Sequence, residues 1–144
     1  MKISKLAVLL LFVTTWCRAD ETVALLKETK ELRQISGSAV GLGAQPGRFS
    51  EIAKVLQREL QNDNLLKLAR ENDPEVSCMG LVLLAGNRDK NLKFIQSFEA
   101  DQRAILLNPV GCTIQTSTVG AFAKKLVSDV EFRSLFVSPS DIKE

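Results

Sequence analysis

Apolar side chains recur every three or four positions along most of this chain, and that period predicts helices. The segment from Asp20 to about Ile35 places Val23, Leu25, Leu26, Leu32 and Ile35 inward and Lys27, Glu28, Lys30, Glu31 and Arg33 toward water. Residues 36–47 hold four glycines and Pro46 and read as a break. Phe49, Ile52, Ala53, Leu56 and Leu60 then mark one face of a helix over Phe49–Gln61. Asn62-Asp63-Asn64 stops it and caps a second, leucine-rich helix ending near Glu71-Asn72.

Asp73-Pro74 is the sharpest local signal. An aspartate accepts hydrogen bonds from the free amides of a helix start, and proline suits the first helical position, where no amide is missed. The segment Val76–Ala85 that follows is apolar on every side, which predicts a helix at the centre of the core, closed by Gly86-Asn87. Another helix is expected over Lys90–Glu99. Asp101–Asn108 fits a short helix or a strand, and Pro109-Val110-Gly111-Cys112 reads as a break. Thr118 or Ser117 caps a helix over Val119–Val127, and Val130, Phe132, Leu135 and Phe136 dock the tail ahead of a polar, frayed end at 138–144. Together these elements predict a single all-α domain of about five or six helices packed as antiparallel pairs.

The first nineteen residues follow a different pattern. Lys2 and Lys5 precede the apolar run Leu6–Trp16, and Cys17-Arg18-Ala19 places small residues three and one positions before Asp20. This is the layout of a cleaved secretory signal, too short for a membrane span. The expectation is therefore a signal peptide at 1–19 and a mature domain at 20–144, exported to a periplasm or the extracellular space. No transmembrane segment is expected in the mature chain. Lipidation of Cys17 is not expected, because Trp16 stands where the lipoprotein pattern wants a small residue. The whole chain has a net charge of +2, and without Lys2, Lys5 and Arg18 it has 16 basic residues against 17 acidic ones. A nearly neutral mature chain excludes phosphate-backbone binding, so no nucleic-acid partner is expected.

In an oxidising compartment the two remaining cysteines, Cys78 and Cys112, form an even pair. A bridge would close a loop of about 34 residues and remove roughly 3–4 kcal/mol of unfolded-state freedom. Two buried thiols packing as small apolar residues is the other reading.

The stretch Leu65-Leu66-Lys67-Leu68-Ala69-Arg70-Glu71-Asn72-Asp73-Pro74-Glu75-Val76-Ser77-Cys78-Met79-Gly80-Leu81-Val82-Leu83-Leu84-Ala85 resembles a HEAT-type helical repeat. Such repeats pair a leucine-rich helix with a second helix opened by Asp-Pro-x-Val. The match departs at Ser77, where these repeats often carry arginine. A degenerate second unit runs over Leu92–Phe98, with Asp101 opening Arg103-Ala104-Ile105-Leu106. The chain is also similar to small secreted bacterial proteins with HEAT-like helices. The resemblance implies stacked helix pairs and a scaffold or binding surface, with no chemistry.

Candidate chemistry is sparse. The chain has no histidine, which removes the commonest general base and transition-metal ligand. No zinc or calcium spacing occurs, and no metal or cofactor is expected. Gly41-Leu42-Gly43 lacks the strand-to-helix setting of a phosphate loop. Glu71, Asp73 and Glu75 cluster at a helix start, which suits a cap and solvated turn better than a two-carboxylate hydrolase. Ser128 or Thr118 beside Lys124 or Lys125 is the remaining nucleophile arrangement, and its spacing is poor. The expected function is a non-enzymatic module that binds another protein or shapes a cell-envelope assembly. Alternatives are a carrier of an apolar ligand held among Phe94, Phe98, Phe122 and Met79, and a carboxylate hydrolase.

Overall fold

A computed structural model describes residues 20–137. The segment 1–19 expected to be a signal peptide, with Cys17, and the polar end 138–144 lie outside the described residues. Helix α1 covers residues 20–31, followed by β1 (Ile35–Val40), α2 (Arg48–Glu59), α3 (Asn62–Ala69), α4 (Pro74–Ala85) and α5 (Arg88–Gln96). Then come β2 (Ala104–Gly111), β3 (Gln115–Thr118), α6 (Val119–Ser128) and α7 (Val130–Ser134). Among the described residues no helix is long and apolar enough to cross a membrane.

The chain is not all-α. Three strands form a mixed sheet in the order β1-β2-β3. The central strand β2 runs parallel to β1, with Ile35 opposite Leu107 and Val40 opposite Gly111, and antiparallel to β3, with Ala104 opposite Thr118. Helices α2 to α5 fill the crossover between the parallel strands, as a parallel pair requires.

Each misread segment has a physical reason. Ile35 is not the last turn of the first helix. That helix stops at residue 31, Arg33 adopts a left-handed φ of 50°, and Ile35 opens β1 fully buried. The small residues after it look like a turn, yet they are what lets β1 approach β2. A Cβ on Gly37 would overlap the Pro109 carbonyl, and a bulge between Ser36 and Ala39 absorbs the misfit. Propensity undervalues serine and glycine here because packing against a neighbouring strand decides the state.

Residues 104–111 are strand, so the second half of the degenerate repeat is not a helix. Ile105 and Leu107 are buried and Leu106 is exposed, the alternation of a half-covered sheet. Pro109 is tolerated inside β2 because it stands opposite the register shift between Ser36 and Ala39 in β1, where regular ladder bonding is interrupted.

The helices follow the sequence pattern closely. Asp73 Oδ1 accepts from Val76 N at 3.0 Å with Pro74 in the first turn, and every residue of Val76–Ala85 is buried. Helix α4 packs against α2, α3, α5, α6 and β2, which makes it the centre of the core. At Gly80 a Cβ would overlap the main chain of Ala69, so glycine sets the close α3–α4 approach. Thr118 caps α6 through Ala121 N at 3.1 Å, and Asp129 caps α7 through Phe132 N at 2.9 Å. The tail docks through aromatic edges. Phe122 meets Phe132 and Phe136 at 5.6 and 5.4 Å between ring centroids, and Phe136 meets Phe49 at 6.4 Å.

Candidate functional site

The carboxylates around Asp73-Pro74 sit at one end of β2, in a corner organised by Arg103. Its Nη1 donates to the carbonyls of Glu71 (2.7 Å) and Asn72 (2.9 Å), and its Nη2 donates to Ser77 Oγ (3.0 Å). Nε and Nη2 also clasp the Asp101 carboxylate at 2.6–3.1 Å. Ser77 Oγ donates in turn to Ala69 O at 2.6 Å. Arg103 therefore satisfies two carbonyls of the α3–α4 turn and ties that turn to α4 and the start of β2.

Four carboxylates here sit in different surroundings. Hydrogen bonds from Arg103 hold Asp101 below its usual pKa, while burial pushes Glu75 up. Asp73 is engaged as the α4 cap, and Glu71 is exposed. The nearby Cys78 thiol is raised far above its ordinary value, first by burial and then by Glu75. Every polar contact here is structural, and no group of metal-binding residues occurs among the described residues.

The other candidates are also in structural use. Thr118 Oγ1 caps α6, Ser128 Oγ donates to Lys124 O at 2.9 Å, and Lys125 Nζ lies 5.4 Å from the Phe132 ring centroid. Met79 and Phe122 are core residues with no exposure, and Phe94 and Phe98 pair with each other at 5.4 Å. Neither of the two surface cavities described in the molecule is lined by these four side chains. Cys78 and Cys112 are free thiols, Cys78 buried in α4 and Cys112 exposed in the β2–β3 turn.

The far end of β2 is different. Because β1 and β2 are parallel, their carboxyl ends lie side by side, and Gly41 N donates to Gly111 O at 2.7 Å. Gly41 and Gly111 both adopt left-handed φ (73° and 68°), and each starts a loop. Leu42 in the first loop is fully exposed, Val110 at the end of β2 and Ile114 in the second loop are each about half exposed, and Cys112 between them in the chain is exposed as well. In the β1–α2 loop Ala44 also holds a left-handed φ of 47°, a strained conformation for a residue with a Cβ. The loop is closed by reciprocal bonds between Val40 and Gln45 at 2.8 and 3.1 Å. In the orientation that satisfies its amide, buried Asn108 donates to Gly111 O and Thr113 O at 3.3 and 3.2 Å and so braces the second turn.

This surface is made from two stretches without a charged residue, 34–47 and 104–123. Two of the flanking arginines, Arg48 and Arg103, are paired with acids. Arg48 clasps Glu28 at 2.6 and 2.9 Å and reaches Glu51 at 3.2 Å, and Arg103 holds Asp101. The strand pairing brings the two neutral stretches into one surface. Sequence reasoning missed it, although the lack of charge in a chain that is 25% charged was a readable signal.

No protein-family model matches the chain, and no curated protein is significantly similar to it.

Proposed function

We propose that this protein is an exported, non-enzymatic interaction module that docks on another protein through the carboxyl ends of β1 and β2. The observation that carries this reading is the exposure of Leu42, Val110 and Ile114 at the adjoining ends of β1 and β2, in stretches without a charged residue. Interface centres are depleted of charge and hold apolar side chains on a rigid support. A neutral patch favours an equally neutral, apolar protein face over a phosphate backbone. The short edge strand β3 adjoins the patch and can extend the contact with main-chain hydrogen bonds. We retain the likeness of α3–α4 to a HEAT-type helix pair as a proposal about local packing alone.

The test is site-specific photo-crosslinking in the producing cell. A crosslinker at position 42 should give a discrete protein adduct, and one at exposed Lys67 on α3 should not. Ile114→Lys should abolish the adduct without changing the thermal melt. Equal yields from positions 42 and 67 would sink the reading. An adduct at twice the mass of the chain would make the partner a second copy.

A further inference from the structure

A second site lies away from the sheet. Four helix ends meet around a cavity of about 230 Å³: the ends of α2 and α4 and the starts of α3 and α5. At about 30 Å³ per water this holds roughly seven or eight waters, or one small organic molecule. Its floor is aliphatic, made by Leu60, Leu65 and Leu83, and its rim carries carboxamides and Lys90. No carboxylate lines it.

Asn91 gives the cavity its polarity. This side chain is 5% exposed, and its Nδ2 donates to Leu84 O and Asn87 O at 3.1 Å and to Asn62 Oδ1 at 3.4 Å. Those three bonds fix the amide orientation and leave Oδ1 without a donor. Among the described residues the one fully enclosed, unpartnered side-chain polar atom is Arg133 Nε. Asn91 Oδ1 is therefore not sealed in, and it opens on the cavity that Asn91 lines. The same bond engages Asn62 Oδ1 and leaves Asn62 Nδ2 as a donor.

The opposite electrostatic sign comes from two sources. Helices α3 and α5 both begin at this cavity, and neither has a side-chain cap bonded to its first amides. Uncapped helix starts attract negative charge, and Lys90 adds a full cation. Asp89, in the first turn of α5, is held by Arg88 at 3.0 Å, and Asp63, in the first turn of α3, is exposed and does not line the cavity. The cavity thus offers a cationic side, a single buried acceptor and an aliphatic floor.

We propose that this cavity binds a small aliphatic acid bearing an N–H or O–H donor on its α-carbon: an amino acid, a hydroxy acid or the carboxyl terminus of a peptide. The carboxylate faces Lys90 and the helix starts, the donor bonds Asn91 Oδ1, and the aliphatic chain lies on Leu60, Leu65 and Leu83. Neutral sugars fit less well, because no aromatic ring lines the cavity to stack on them.

Titration calorimetry on the purified protein tests this with defined probes. L-leucine, 2-hydroxy-4-methylpentanoate and N-acetyl-L-leucine all carry the required pair of groups, and saturable binding of any one of them supports the proposal. N-acetyl-L-leucine as the tightest of the three makes the source a peptide terminus; L-leucine or the hydroxy acid as the tightest makes it a free metabolite. L-leucinamide lacks the carboxylate and 4-methylpentanoate lacks the donor, so each should bind at least about tenfold more weakly. Lys90→Ala, on an exposed side chain, should weaken the best probe by a similar factor. Leucinamide binding as well as leucine, or no saturable heat with any probe, overturns the proposal.

Discussion

The two ends of β2 use the same chain in opposite ways. At the start, Arg103 ties Asp101, Ser77 and the carbonyls of Glu71 and Asn72 into one network, and Cys78 is sealed beside it. At the finish, the stretches that meet there carry no charged residue, Leu42, Val110 and Ile114 are exposed to water, and Cys112 is open. Buried polar groups are hydrogen-bonded because leaving them unmade is expensive. The first end is therefore determined by folding alone. Nothing in folding requires Leu42 or Ile114 to be exposed and apolar, which is why the second end carries the functional proposal. Clusters rich in titratable groups draw attention first, yet here the populated cluster is architecture and the neutral one is the surface left available.

The widest separation between the ends should appear in thiol chemistry. Under reducing preparation, Cys112 should react rapidly with a soluble disulfide reagent, and Cys78 at least about a thousandfold more slowly, through opening of the core. Equal rates would erase the contrast.

Next in size is Arg103→Ala. It strips donors from two carbonyls, Ser77 and Asp101, and should lower unfolding free energy by roughly 2–3 kcal/mol in urea melts. Ser77→Ala leaves the Ala69 carbonyl without its donor and should cost about 1 kcal/mol.

The titration signature is smaller and has two signs. Asp101 has a folded pKa below its ordinary 3.8, so its contribution is present above that value and is lost as pH falls through the lower folded one. Glu75 has a folded pKa above its ordinary 4.5, so its ionised form opposes folding at neutral pH, and this penalty disappears as pH falls toward 4.5. Glu75→Gln should therefore raise the urea midpoint at pH 7 and leave it unchanged at pH 4. A gain that persists at pH 4 would mean that packing, not charge, accounts for it.

The smallest stability effect belongs to the neutral end. Leu42→Asp should change unfolding free energy by no more than about 0.5 kcal/mol while removing the adduct formed by a crosslinker placed at exposed position 110. A large loss of stability would reassign Leu42 to the fold.

How much of this was legible in the sequence depended on whether the signal was local. The Asp73-Pro74 start and the apolar run of α4 are complete within a dozen residues, and the spacing of Phe49, Ile52, Ala53 and Leu56 identifies α2 directly. The strands were harder. In β2 the run Ile105-Leu106-Leu107 has only one β-branched residue, and leucine serves a helix at least as well. In β1 the residues that permit pairing, Ser36 and Gly37, are those that usually mark turns. Their state is decided by Pro109, far along the chain. The neutral surface shares this limit, because stretches 34–47 and 104–123 become one patch only when the strands pair. The amide-lined cavity is less legible still, since it draws on four helix ends.

The parallel β1–β2 pair also governs how the molecule must assemble in time. Ile35 meets Leu107 across about 70 intervening residues that include helices α2 to α5, so the ladder is a long-range closure whose entropy cost precedes its reward. The helical segments should form first, with β1 paired only after β2 is in place. Folding should therefore run slower than in a helical bundle of equal length, with its slow step set by registering one small-residue strand against another.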